Sequence, residues 1–302
     1  MMPLVYAWPG REALGTALVE ALGGEPGRLE LRRFPDGESY VRLATPPAGR
    51  PVVLACGLEN PDDKCTGIYF AAATARELGA SSVGLVAPYL AYMRQDARFR
   101  DGEAIASQAF GRWLSSTVDW LVTLDPHLHR HAALDEVYSI PTRTVSSATA
   151  IGRWIAANVP AALIVGPDAE STQWAGAIAA AAGCPHVVLE KTRRGDRDVE
   201  VHLPALDHGR ERTPVLIDDI ISTAQTMATA ALRLGEAGRA APLCIGVHAL
   251  FADGAMAALH AAGVKRVVTC NSVVHPTNGI DVLPTIASAT AQLLATIEVP
   301  SR

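Results

Sequence analysis

At 302 residues, 49% hydrophobic and only 5% aromatic, the chain has an Ala-, Val- and Leu-rich α/β composition and the length for two domains with separate cores. A net charge of -5 and the lack of any long Lys/Arg cluster leave no basic field for nucleic acid, and every apolar run is broken well short of a membrane span. The five cysteines, Cys56, Cys65, Cys184, Cys244 and Cys270, show neither CxxC spacing nor a nearby His at zinc-finger distance, so a cytoplasmic enzyme with reduced, buried thiols is the expectation.

In chain order, Leu4 to Trp8 reads as a strand, Arg11 to Leu22 as a helix, and Arg28 to Arg33 and Tyr40 to Leu43 as strands flanking the turn Phe34-Pro35-Asp36-Gly37-Glu38. An exposed aromatic beside the carboxylates of Asp36 and Glu38 can stack on a purine and accept from its amino group. A solvated acidic hairpin is the competing reading.

Pro51 to Cys56, the helix Lys64 to Leu78 and Ser82 to Ala87 give the βαβ alternation of a parallel sheet. The last of these strands ends in a long loop, residues 88 to 103, carrying Arg94, Gln95, Asp96, Arg98 and Arg100. Planar bidentate donors at the C-terminal end of a strand suit a polyphosphate. A surface loop whose arginines pair with Asp96, Asp101 and Glu103 is the alternative.

Val118 to Leu124 is a further strand and delivers Asp125-Pro126-His127-Leu128-His129-Arg130-His131, where imidazoles suggest a metal or a general acid/base. Ile140 to Ser147 is the expected domain boundary, dividing the chain into 1–145 and 146–302. The second half repeats the plan of the first. Helix Ala148 to Ala157 leads to strand Ala162 to Val165, which ends at Asp168 ahead of helix Thr172 to Ala182. His186 to Leu189 is a strand, followed by residues 190 to 199, a cation-rich hairpin containing Lys191 and Arg193. Leu243 to Ala249 and Lys265 to Cys270 are later strands, and Leu283 to Leu294 is a closing helix free to pack back on the first domain.

Between them, strand Thr213 to Ile217 runs into Asp218 and Asp219, then Ser222, Thr223, Ala224, Gln225 and Thr226, then a helix over Ala228 to Gly235. Loop and helix N–H groups at such a strand end point at an anion, so a phosphate suits residues 222 to 226. The vicinal carboxylates would repel that phosphate but suit a sugar diol or a metal. The segment reads as a phosphosugar cradle.

This stretch resembles the phosphoribosyl-diphosphate (PRPP) loop of type I phosphoribosyltransferases and ribose-phosphate pyrophosphokinases, with Gln225 where the family usually has Gly. Phe-Pro-Asp-Gly-Glu at 34 to 38 and Pro-Tyr-x-x-Tyr-x-Arg-Gln-Asp at 88 to 96 look like the two nucleotide-binding segments of ribose-phosphate pyrophosphokinases. The resemblance implies two similar α/β domains, each a parallel-rich sheet flanked by helices, the first for ATP and the second for ribose 5-phosphate.

Residue by residue, the resemblance implies ATP contacts at Phe34, Asp36, Gly37, Glu38, Arg94, Gln95, Asp96 and Arg98. It implies ribose 5-phosphate contacts at Asp218, Asp219, Ser222, Thr223, Ala224, Gln225 and Thr226. His127 and Asp168 match positions that serve Mg²⁺, and Lys191 and Arg193 match a flexible catalytic loop. The family's usual Gly pair after Asp168 is replaced here by Glu170 and Ser171. His248 and residues 275 to 281 match late segments whose role stays open between structure, allostery and catalysis. The implied assembly is a homo-oligomer, dimer or hexamer. A non-catalytic nucleotide-binding paralogue is the rival reading, and a phosphoribosyltransferase consuming PRPP would leave the first 145 residues unexplained.

Overall fold

A computed structural model describes residues 1–128, 130–168, 171–193, 199–202 and 211–297, and for 173, 190–193 and 199–202 the backbone alone. The chain divides into two units, Met1–Val145 together with the residues from Leu283 onward, and Ser146–Val282.

The first unit is built from β1 (Leu4–Ala7), α1 (Glu12–Leu22), β2 (Glu25–Gly27), the hairpin β3 (Leu29–Arg33) and β4 (Ser39–Leu43), β5 (Pro51–Ala55), α2 (Asp62–Glu77), β6 (Ser82–Ala87), α3 (Ala106–Thr117), β7 (Trp120–Leu124) and β8 (Thr142–Val145). Its sheet has the order β2-β1-β5-β6-β7-β8 and every pairing is parallel. Strands β6 and β7 are buried from end to end, because a parallel sheet covered on both faces takes unbroken apolar runs rather than alternation. Trp120 fills that core so closely that a Cβ on Gly84 of the neighbouring strand would lie 1.8 Å from its ring. Helix α1 stops where Gly23 turns left-handed at φ 56°, a conformation that glycine adopts without penalty.

The second unit contains α4 (Ala148–Asn158), β9 (Ala162–Gly166), α5 (Thr172–Ala182), β10 (His186–Val188), the hairpin β11 (Glu190–Arg193) and β12 (Val199–His202), β13 (Thr213–Ile221), α6 (Gln225–Glu236), β14 (Leu243–Ala249), α7 (Ala255–Ala261), β15 (Arg266–Cys270) and β16 (Asn278–Ile280). Its parallel sheet has the order β10-β9-β13-β14-β15-β16. Strand for strand this repeats the first unit, including an antiparallel hairpin inserted between the second and third sheet strands.

The helix that precedes each repeat also has a counterpart. In the second unit α4 packs on α5 and β16, and in the first unit α8 (Leu283–Thr296) packs on α1, β7 and β8. The last helix of the chain therefore does for the first sheet what α4 does for the second.

Several boundaries differ from the sequence reading, among them the start of α6 at Gln225 rather than Ala228. Helix α2 begins at Asp62 rather than Lys64, and its first turn holds Asp62 and Asp63, whose charge favours a helix N-terminus. Strand β13 does not stop at Ile217. It continues through both aspartates to Ile221, because its pairing with β14 persists from Val215 opposite Leu243 to Ile221 opposite Ala249.

Candidate active site

In the second unit, β13 brings Asp218 and Asp219 to its C-terminal end as consecutive strand residues, and the Asp219 N–H donates to Asp218 Oδ1 at 3.0 Å. Burial and the neighbouring carboxylates of Asp219 and Asp168 push the Asp218 carboxyl up to about 8. Asp168, just past the end of β9, lies near enough to the aspartate pair for its charge to act on Asp218. Ser171 holds the backbone there, its N–H, at 3.1 Å, and its hydroxyl both donating to the Asp168 carbonyl, with the hydroxyl packed against Gly166. Glu170 lies outside the described residues.

The turn from β13 into α6 is short. Ser222 and Thr223 carry hydroxyls at its rim, and buried Ala224 takes the left-handed conformation at φ 60° as the helix N-cap. The neighbouring loop fixes it, with Ala252 N–H donating to the Ser222 carbonyl and Leu250 N–H to the Ile221 carbonyl. Gln225 and Thr226 open α6 together with Met227, and the N–H groups of a first helical turn have no carbonyl within the helix to bond. The residue that needs glycine-like freedom is thus Ala224, and Gln225 sits in ordinary helical backbone with its side chain exposed.

Lys191 and Arg193 fall on β11, paired opposite Val201 and Val199 of β12. Their side chains lie outside what the structure describes.

In the first unit the loops after β6 and β7 are tied together. Arg130 Nε pairs with Asp96 Oδ1 at 3.3 Å, and its guanidinium lies 5.7 Å from the Phe99 ring. Arg98 Nε donates to the Glu103 carbonyl at 3.0 Å, and the Glu103 carboxylate accepts from the Phe99 and Arg100 N–H groups. The arginines of this loop are therefore not spent on its acids: Asp96 takes Arg130 from another loop, and Arg94 is exposed with no protein partner among the described residues. The Gln95 carbonyl accepts from the Ser107 N–H at 3.2 Å, anchoring the loop to α3.

His127 follows Asp125, whose left-handed backbone at φ 35° and N–H bond to the Val145 carbonyl turn the chain out of β7. His131 bonds Glu136 at 3.1 Å, which makes it a loop cap, and His129 lies outside the described residues.

On the β3–β4 hairpin the turn is held by the Phe34 N–H to the Glu38 carbonyl at 2.8 Å, with Gly37 at φ 93° and the Glu38 N–H on Asp36 Oδ1 at 3.2 Å. Phe34 is 39% exposed. The Arg32 guanidinium lies 4.4 Å from its ring centroid and 4.1 Å from that of Tyr40, so Phe34 is braced from within the hairpin. Nothing in the sequence distinguished Arg32 from other surface arginines; only the shared face of the hairpin brings it to Phe34.

As a cation site, the second unit's edge offers hard oxygen donors from Asp168, Asp218 and Asp219, and Asp218 carries an ionisation cost that a divalent cation would relieve. This fits Mg²⁺, which retains several waters. Among the described residues, no three His, Cys, Asp or Glu side chains stand gathered as a ready-made ligand set. His127 belongs to the other unit.

Residues 4–117 match the family model described as the N-terminal domain of ribose phosphate pyrophosphokinase, and residues 142–284 match the phosphoribosyl transferase domain. The chain is 34% identical to the ribose-phosphate pyrophosphokinase of Methanopyrus kandleri, covering 93% of this chain and 96% of that one. It is 30% identical to the enzyme of the same name from Methanothermobacter thermautotrophicus, covering 94% and 98%. The crystal structure of phosphoribosylpyrophosphate synthetase from Mycobacterium smegmatis shares its fold, with a TM-score of 0.82 over 98% of this chain and 99% of that one at 20% identity. With a relative this similar along almost its whole length, and with each half matched in order, the chain belongs to the ribose-phosphate pyrophosphokinase family.

Proposed function

We propose that this protein transfers the β,γ-diphosphoryl group of ATP to the C1 hydroxyl of ribose 5-phosphate, giving PRPP and AMP. The observation that carries the reading is the pairing of a nucleotide-type first half with a second half in which a carboxylate pair precedes an anion-ready helix N-terminus. A phosphoribosyltransferase would have no use for the first.

In this reading the sugar O1 attacks the β-phosphorus, the O1–Pβ bond forms as the bond from Pβ to the bridging oxygen breaks, AMP leaves with that oxygen, and the O1 proton passes to solvent. Such a transfer needs alignment and charge neutralisation more than a protein nucleophile. The 5-phosphate sits on the N–H groups and hydroxyls of residues 222 to 226, and Asp218 and Asp219 accept from the ribose 2- and 3-hydroxyls, fixing O1. Phe34 stacks on the adenine, with Asp36, Gly37 and Glu38 beside it, and in a homo-oligomer, dimer or hexamer, the turn serves a neighbouring copy. Arg94 and Arg98 take the polyphosphate, with Gln95 and Asp96 shaping their loop. Lys191 and Arg193, on the hairpin equivalent to the Phe34 hairpin, close over the β-phosphoryl group. His127 in the first unit and Asp168 in the second would each offer a ligand to Mg²⁺, which would supply neutralisation of phosphate charge. Five free cysteines suit a reducing compartment, the cytoplasm, and no helix among the described residues is long and apolar enough to cross a membrane.

The test is direct. Purified protein incubated with Mg-ATP and ribose 5-phosphate should release AMP and PRPP in equal amounts. Binding of ATP with neither product formed would identify a regulatory paralogue instead.

A further inference from the structure

Because the two units repeat each other, the place held in the second by β13, residues 222 to 224 and α6 is held in the first by β5, residues 56 to 61 and α2. The backbone correspondence extends to detail. Asn60 is left-handed at φ 50° shortly before α2, as Ala224 is at φ 60° immediately before α6. The side chains have changed character. Where β13 carries Asp218 and Asp219 after its apolar run, β5 runs from buried Leu54 and Ala55 into Cys56 and Gly57, so no acid pair remains to take a sugar diol.

What fills this place in the first unit is an ion triad drawn from three segments. Arg11, in the loop after β1 that corresponds to the Asp168 loop, puts Nη2 2.5 Å from Glu59 Oε2. Lys64, in the first turns of α2, puts Nζ 2.5 Å from Glu59 Oε1 and 2.8 Å from the Gly57 carbonyl. The side chains are 5% exposed for Arg11 and 21% for both Glu59 and Lys64. A Cβ on Gly57 would clash with Arg11 Nη2 and come within 2.5 Å of Glu59 Oε2, so the loop backbone lies hard against this pair.

The acids of α2's first turn are engaged elsewhere, Asp62 by the Tyr92 hydroxyl and Asp63 by Arg33. Two cations thus converge on one carboxylate ahead of a helix N-terminus. Burial opposes ionisation of Glu59, yet Arg11 and Lys64 outweigh it and hold the carboxyl below its ordinary range.

We propose that the first unit keeps an anion cradle whose occupant is the chain's own Glu59 carboxylate, so that a phosphate or phosphomonoester enters there only when Glu59 is withdrawn. The consequence is one phosphosugar site per chain despite two copies of the fold. That count of one rests on the proposed function, whereas the repeat and the triad carry the cradle itself, whatever the second unit binds.

The experiment compares wild type, Glu59→Ala, Glu59→Gln and Glu59→Ala/Lys64→Met in inorganic phosphate and in chloride of equal ionic strength. It reads the Tm and the hydrogen exchange of residues 56 to 68. Both single variants should lose stability in chloride and recover in phosphate, with an extra Tm rise of about 3 °C over any wild-type response and phosphate-dependent protection of 56 to 68. The double variant should show neither. A single variant that phosphate neither stabilises nor refolds, or a double variant that still responds, overturns the proposal.

Discussion

Asp218 and Asp219 are bonded to each other through the chain itself: the amide of the second donates to the carboxylate of the first at 3.0 Å, while both remain in strand β13. Holding two carboxylates in extended backbone beside Asp168 costs the folded state. A carboxyl whose folded pKa is raised to about 8 binds its proton more tightly when folded. Its stabilising contribution is therefore present below the unfolded carboxylate range and is lost as pH rises toward 8. Asp218→Asn, measured without divalent cation, should flatten the fall in Tm between pH 5 and pH 8 and leave the variant a few degrees (~3 °C) more stable at pH 8. The same change should lower kcat/KM for ribose 5-phosphate by roughly ten- to a hundredfold. A variant with a steeper pH profile than wild type contradicts the coupling.

At the next turn along the chain, the strain lies at Ala224. Left-handed backbone costs a non-glycine residue about 1 to 2 kcal/mol, and the added freedom of glycine in the unfolded chain returns about 0.4 to 1 kcal/mol of that. Ala224→Gly should leave Tm unchanged or raise it by about 1 to 2 °C. Gln225→Gly, which restores the residue common in the family, should lower stability by up to ~1 kcal/mol because 225 is helical. Calorimetry on the two variants separates these; if Gly helps at 225 and harms at 224, the turn has been misread.

Phe34→Ala should raise the KM for ATP while leaving that for ribose 5-phosphate nearly unchanged, since stacking of about 1 to 3 kcal/mol is lost from the base alone. Arg32→Ala, which removes the brace but not the ring, should give the same pattern at smaller amplitude. Equal effects on both substrates would point to a damaged hairpin.

Lys191→Ala should cut kcat by about a hundred- to a thousandfold, because charge on the β-phosphoryl group and departing AMP peaks in the transition state. Substrate dissociation constants should move only a few-fold. Single-turnover kinetics with equilibrium binding will show whether the loss falls on turnover; a loss confined to affinity would remove Lys191 from the chemistry.

His127→Ala should impair activity most at low Mg²⁺ and recover partly as Mg²⁺ is raised. Titrating Mg²⁺ at fixed ATP decides it, and a variant indistinguishable from wild type at every concentration would return His127 to a packing role.

The central strands of both sheets were legible because parallel strands covered on two faces spell themselves as unbroken apolar runs, as Val83 to Ala87 and Leu121 to Leu124 do, whereas the edge strands β2, β8 and β16 carry no such run and were not read as strands. Where polar residues enter a strand that reading fails. Asp218-Asp219 looks like the start of a turn, and only the β14 ladder, a contact distant in sequence, keeps it extended. The start of α6 was hidden because Gln225 and Thr226 carry no apolar period. Motifs located the Phe34, Arg94 and Asp218 segments. They did not say that Asp96 takes Arg130, or that Arg11, Glu59 and Lys64 meet, since such pairings depend on which loops the sheet order sets side by side.

The placement of α8 has a consequence for biosynthesis. Residues 146–282 form the second unit from one continuous run of chain, whereas the first waits for a helix encoded after that run. A chain emerging from the ribosome can close the second unit, made later, while the first still presents the bare flank of α1 that α8 will cover. The half synthesised first is thus the half finished last, and until α8 emerges its uncovered apolar flank is where a chaperone, or a second nascent chain, would find purchase.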